Sequence, residues 1–137
     1  GTAAVENIDF LKMACERFSN KIALSIDVRD GCIALSGWEK QTDILAINFI
    51  KKIKKINVSR IIYTDINKDG TKLGSNIQET INFSNLIKIP TVISGGVSSI
   101  DEVMNIKKNN SPNIEGVIIG KAIYDGNIDI KKLSESI

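Results

Sequence analysis

The chain has no histidine, and among its 137 residues there are only two cysteines, two prolines and one tryptophan. Without an imidazole, zinc sites built on histidine and triads that need a histidine base are excluded. Cys15 and Cys32 are too few to staple a domain of this size, and they fit a reducing, cytoplasmic setting. A basic excess is missing too. Lys plus Arg number 18 against 16 Asp plus Glu, a net charge of +2, which removes the electrostatic case for nucleic acid. No apolar run reaches the eighteen or so residues of a membrane-spanning helix, and no signal peptide is expected ahead of Gly1-Thr2-Ala3-Ala4. G-x-G-x-x-G, P-loop and Cys-x-x-Cys patterns are absent, so dinucleotide, ATP and thiol-redox chemistry have no support. What is there is 42% hydrophobic, 25% charged and 5% aromatic, an ordinary composition for one domain spanning residues 1–137.

Short runs rich in Ile and Val alternate with longer segments of helical period. The runs are Lys21 to Asp27, Arg60 to Asp65, Pro90 to Ser94 and Gly116 to Gly120. None carries a polar residue at every second position, which predicts strands buried on both faces. Between them the spacing predicts helices: one capped by Asn7, one capped by Thr42 with Ile44, Leu45, Ile47, Ile50 and Ile53 inward, one from Ile77 to Leu86, one from Ser99 to Lys107, and a short one from Ile130. Ser99 and Glu102 have capping-box spacing. Alternation of this kind argues for a parallel sheet with right-handed crossovers. A small open sheet and part of a (β/α)8 barrel both satisfy it. A whole barrel needs about 250 residues, and Gly1-Thr2 reads as the end of a preceding strand, so four βα units of a larger barrel are the expectation.

In a parallel α/β fold the chemistry sits at the carboxyl ends of strands. Those ends are Asp27, Thr64-Asp65, Ser94-Gly95-Gly96 and Gly120-Lys121. A carboxylate, a hydroxyl and two glycine turns on one rim suit a phosphorylated substrate and acid–base work. Ser94-Gly95-Gly96 lets backbone N–H groups approach an oxyanion, with the helix opening at Ser99 behind it, and Gly120-Lys121 is a second such turn. Each glycine pair alone reads equally as a plain turn. Asp27 is either a surface residue just past its strand or a general acid or base. Asp65-Ile66-Asn67-Lys68-Asp69-Gly70 imitates the start of a calcium loop, but the twelfth position is Asn76 instead of Glu and a strand precedes it; a glycine-rich active-site loop through Gly74 is the better reading. Trp38, in a long loop where Cys32 to Leu35 can form a small hairpin, is a packed loop residue or an aromatic lid. The lysines at 51, 52, 54 and 55 read as a solvated helix face.

Ile26-Asp27-Val28-Arg29-Asp30-Gly31, Ser36-Gly37-Trp38, the segment from Tyr63 to Thr71, Ser94-Gly95-Gly96-Val97-Ser98-Ser99 and the segment from Gly116 to Ala122 occur together in order. As a set, with Gly1-Thr2-Ala3-Ala4-Val5, they resemble the histidine-biosynthesis isomerases that act on ProFAR. The resemblance runs along the whole chain but covers the C-terminal half of the family's barrel, strands 5–8 with helices 4–8. A related family, the cyclase subunit of imidazole glycerol phosphate synthase, shares the glycine signatures but differs at Ser36-Gly37-Trp38 and Thr64-Asp65. The resemblance implies an Amadori rearrangement of an aminoaldose to an aminoketose, with no metal and no organic cofactor. It implies Asp27 as general acid, Thr64 on the reacting sugar, Arg29 and Asp69 ordering the loops, and Trp38 over the carboxamide ring. Ser94, Gly95, Gly96, Gly120 and Lys121 would hold one phosphate, and Gly1 and Thr2 part of the other site. The family's second carboxylate lies on its first strand, which has no counterpart here. The expectation is therefore a fragment, inactive alone, that pairs with an N-terminal half or with a second copy to cover its exposed strand edges. A half-barrel that only binds phosphate is the alternative.

Overall fold

A computed structural model describes residues 1–70 and 75–137. Among the described residues, six strands form one sheet in the order β3-β2-β1-β4-β5-β6. They are β1 (Ala23–Arg29), β2 (Cys32–Leu35), β3 (Lys40–Leu45), β4 (Arg60–Asp65), β5 (Thr91–Ser94) and β6 (Ile114–Val117). β1, β4, β5 and β6 are neighbours and parallel, as the four apolar runs require. With helices α1 (Thr2–Glu6), α2 (Ile8–Arg17), α3 (Ala46–Lys52), α4 (Ile77–Ile87), α5 (Ile100–Asn109), α6 (Lys121–Tyr124) and α7 (Ile130–Ser136) they make half of a (β/α)8 barrel.

The strands alternate in burial instead of being closed on both faces. Leu24, Ile26, Val28, Ile61 and Tyr63 are at most 3% exposed and cluster with Leu11, Phe49, Ile50 and Phe83 of the helices. Each such side chain contributes roughly 1.5–3 kcal/mol of burial. Their neighbours Ser25, Asp27, Ile62, Val92 and Ser94 look the other way and are only half-buried. That second face is the one a complete barrel turns toward its axis. A smaller cluster of Ile93, Val97, Val103, Ile106, Ala122, Ile128 and Leu133 closes the β5–β6 side.

Local sequence explains most element ends. The Asn7 side-chain oxygen accepts from the Phe10 N–H at 2.9 Å and opens α2. Ser99 opens α5, its Oγ accepting from the Glu102 N–H at 3.2 Å. Asp129 opens α7 in the same way.

Several expectations need correcting. The segment expected to begin a helix at Thr42 is strand β3, and α3 starts only at Ala46. Thr42 Oγ1 instead donates to the Ile33 carbonyl at 2.7 Å, so the cap residue became a ladder contact. Ile44 and Leu45 are consequently 39% and 45% exposed, not inward, whereas Ile50 and Ile53 are buried and the four lysines exposed as expected. Cys32–Leu35 does form the expected hairpin, pairing antiparallel with β3 and, on its other side, with β1. The connection from β1 is the two-residue turn Asp30-Gly31, with φ of 51° and 79°, the left-handed pair that a tight hairpin requires. Gly1 is the cap and Thr2 the first residue of α1, and β6 runs from Ile114 to Val117, starting two residues earlier than the apolar run suggested.

Candidate active site on the strand rim

Register builds the site. Asp27 of β1 lies opposite Thr64 of β4, and Thr64 lies opposite Ser94 of β5. The three form one row across three adjacent parallel strands, on the half-open face and at the carboxyl ends. Because side chains alternate along a strand, a slip of one residue in either pairing would send one of them to the helix side. Thr64 is 8% exposed and Asp27 half-buried.

Beyond Ser94 the chain makes the turn Gly95-Gly96, with φ of 93° and 80°. Gly95 admits no side chain: a Cβ there would sit 2.6 Å from the Asp65 carbonyl oxygen. That carbonyl accepts from the N–H groups of Lys68 and Asp69 at 3.1 and 3.0 Å, closing the turn that follows β4. The two turns therefore lie back to back. Between them and the start of α6 is a cleft of about 220 Å³ lined by Asp69, Gly70, Ser94, Gly95, Gly96, Gly120 and Lys121. The sequence distributes these seven over separate loops; the fold brings them to one cavity. Gly120 has φ of −111° and ψ of −102°, and a Cβ added there would meet nothing within 4 Å.

The rim is stitched by polar links that the sequence reading missed. Asp65 is buried, its carboxylate accepting from the Asn67 N–H at 3.0 Å and the Asn76 amide at 3.2 Å. Asn67 donates in turn to Asp30, joining the β1–β2 turn to the loop after β4. Asn76 also donates to Glu79, which accepts from the Tyr63 hydroxyl at 2.8 Å. Burial, and then that hydrogen bond and the nearby carboxylates, push the Tyr63 phenol well above its ordinary range. This network occupies the pattern that imitates a calcium loop, and no cluster of three acidic or thiol ligands exists among the described residues. The part of the loop expected to run through Gly74 lies outside the described residues. Only local signals were readable in advance: Asp30-Gly31 as a turn and Glu102 three residues after a cap. The Ser98 N–H donates to the Glu102 carboxylate at 2.9 Å.

The remaining candidates sit around β1. Arg29 ends β1 opposite Cys32 and is half-buried. A side chain at Gly1 would meet the Ser25 carbonyl at 3.4 Å, so the amino end lies along the same strand. Thr2 Oγ1 accepts from the Ser36 N–H at 2.9 Å. That bond anchors a turn in which Ser36, Gly37 and Trp38 have φ of 55°, 65° and 75°. Left-handed backbone at Ser36 and Trp38 costs about 1–3 kcal/mol each and persists only where surroundings enforce it. Trp38 is 37% exposed, neither packed into the core nor fully in solvent.

The chain spans about half the length of the curated relatives it matches. It is 50% identical over 133 residues to a phosphoribosyl imidazole-4-carboxamide isomerase of Pelagibacter ubique, covering 97% of this chain and 55% of the relative. Isomerases of the same name from Thermodesulfovibrio yellowstonii and Ruthia magnifica are 44% and 38% identical, over 96% and 98% of this chain and 53% and 56% of theirs. The family described as histidine biosynthesis protein matches residues 1–129. On that match, which takes in every rim residue above, the chain belongs to the histidine biosynthesis protein family.

Proposed function

We propose that the chain is the C-terminal half-barrel of an aldose–ketose isomerase of histidine biosynthesis, acting on a phosphorylated aminoimidazole-carboxamide ribotide. The observation that carries this reading is the row Asp27, Thr64, Ser94 running into the glycine-lined cleft. A phosphate in that cleft would meet the Gly95-Gly96 and Gly120 backbone and the Lys121 ammonium, with the reacting sugar then lying over Thr64 and Asp27. Asp27 protonates the ring oxygen as the C1–O bond breaks, giving an open-chain Schiff base. Loss of the C2 proton to a second carboxylate then yields the enolamine, and tautomerisation yields the aminoketose. Thr64 hydrogen-bonds the sugar through the step. Arg29 and Asp69 order the flanking loops, Trp38 covers the carboxamide ring, and Gly1 and Thr2 contribute to the second phosphate site.

Asp65 and Asp30, two of the described rim carboxylates, are taken up by Asn67 and Asn76. We assign the second carboxylate to the part of the relatives' length that this chain does not match. The half-open face carrying Asp27 is then covered by that complementing half, or by a second copy of this chain. The test is to mix the chain with the N-terminal half of the Pelagibacter relative and follow conversion of ProFAR. Turnover is expected only in the mixture, and Asp27→Asn should reduce it by about 10²–10⁴-fold. Absence of turnover from a correctly assembled mixture, with inorganic phosphate still raising the melting temperature, would favour a half-barrel that binds without chemistry.

A further inference from the structure

We propose that Glu102 is a positioning residue whose carboxylate clasps Ser75, just ahead of α4, to the segment after β5, holding in place the Gly95-Gly96 turn that lines the cleft. This rests on the reading of that cleft as a phosphate site. Glu102 stands at the third position of α5, where a capping-box glutamate would reach back to the cap residue's own N–H. Here it reaches elsewhere. One carboxylate oxygen accepts from both the N–H and the hydroxyl of Ser75, the hydroxyl at 2.5 Å. The other accepts from the N–H of Ser98 at 2.9 Å and its hydroxyl at 3.3 Å. Four donors from two different loops therefore converge on one half-buried side chain. Ser75 is 27 residues away in sequence, so helix capping alone gives no reason for that pair. Ser98 lies two residues after the glycine turn, and Ser75 directly precedes Asn76, the cap of α4. Burial works against the ionised carboxyl, yet the hydrogen bonds from Ser75 and Ser98 outweigh it and hold Glu102 below its ordinary range. A charged acceptor with both oxygens filled is what such a clasp requires.

The test is Glu102→Gln, which keeps the shape but turns one acceptor oxygen into an amide donor facing donors. Amide hydrogen exchange, read residue by residue, should accelerate about tenfold or more at Ser75, Ser98 or both, as the loss of hydrogen bonds to a charged group implies. Exchange at Val103 and Ile106 inside α5 should stay within about twofold, because local opening is separable from helix fraying. Titration with inorganic phosphate should show affinity several-fold weaker than in the unmodified chain. Ser75→Ala, which removes one hydroxyl without touching α5, should give a smaller change in the same direction. Unchanged exchange at both serines overturns the proposal. So does uniform acceleration along α5, the signature of a plain helix cap, or unchanged phosphate affinity once both amides have opened. If the unmodified chain binds no phosphate, the reading of the cleft fails by itself, and the exchange pattern still decides whether the clasp exists.

Discussion

Gly95→Ala probes the fold and the site together. The new methyl would sit 2.6 Å from the Asp65 oxygen and 3.3 Å from its carbonyl carbon and amide nitrogen, all of them backbone atoms that no rotamer change can move aside. At φ of 93° an L side chain also carries the left-handed penalty, about 1–2 kcal/mol. Relieving the overlap means shifting a packed strand end, about 1–3 kcal/mol. It also loosens the Lys68 and Asp69 bonds to that carbonyl, worth about 1 kcal/mol each. Allowing for partial relaxation, the expected loss is about 3–5 kcal/mol, a large share of the 5–15 kcal/mol typical of a domain. Gly120→Ala, in the same cleft but with open space where a Cβ would sit, meets no clash and should cost clearly less than Gly95→Ala. It should nevertheless weaken phosphate binding if the ligand approaches that backbone. Urea unfolding followed by circular dichroism gives the midpoints, and an unchanged slope certifies that stability alone has moved. A loss below about 1 kcal/mol for Gly95→Ala would refute the back-to-back packing of the two turns, because each of its terms alone reaches that size.

Acid sensitivity follows from Glu102. Its folded value lies below 4.5, so it stabilises the fold above that pH and the contribution disappears as pH falls through the folded value. Urea midpoints measured from about pH 7 down to 3 should fall more steeply for the unmodified chain than for Glu102→Gln, and parallel curves would count against the four-donor arrangement. The cysteines provide a packing test. Cys15 is buried in α2 with its thiol pushed up by that burial, while Cys32 is half-buried. Iodoacetamide at pH 8 should label Cys32 at least about tenfold faster, and equal rates would mean that α2 is not seated on the sheet.

Much of this architecture is local and therefore legible. Asn7, Ser99 and Asp129 satisfy orphan helix N–H groups within three residues, so their positions announce helix starts whatever the rest of the chain does. The apolar runs from Arg60 to Asp65 and from Thr91 to Ser94 need no partner to be recognised as strands. Thr42 misled for the opposite reason. A threonine before Ile44, Leu45 and Ile47 has the pattern of a capped helix, but the hairpin turn at Asp30-Gly31 returns the chain beside β1, and the free edge of β2 recruits residues 40–45 as a further strand. Where an edge stands open, ladder bonds outweigh a weak local helix preference.

The sequence by itself determined most strand and helix segments, residues 40–45 excepted, that their order suits a parallel sheet, and that strand tips carry a carboxylate, a hydroxyl and two glycine turns, because each of those depends on residues only a few positions apart. Tertiary structure alone decided that Asp27, Thr64 and Ser94 share one row, that Gly95 presses on Asp65, and that Glu102 reaches Ser75. Register and loop contacts join residues 27 or more positions apart, and their energy exists only once the sheet has assembled.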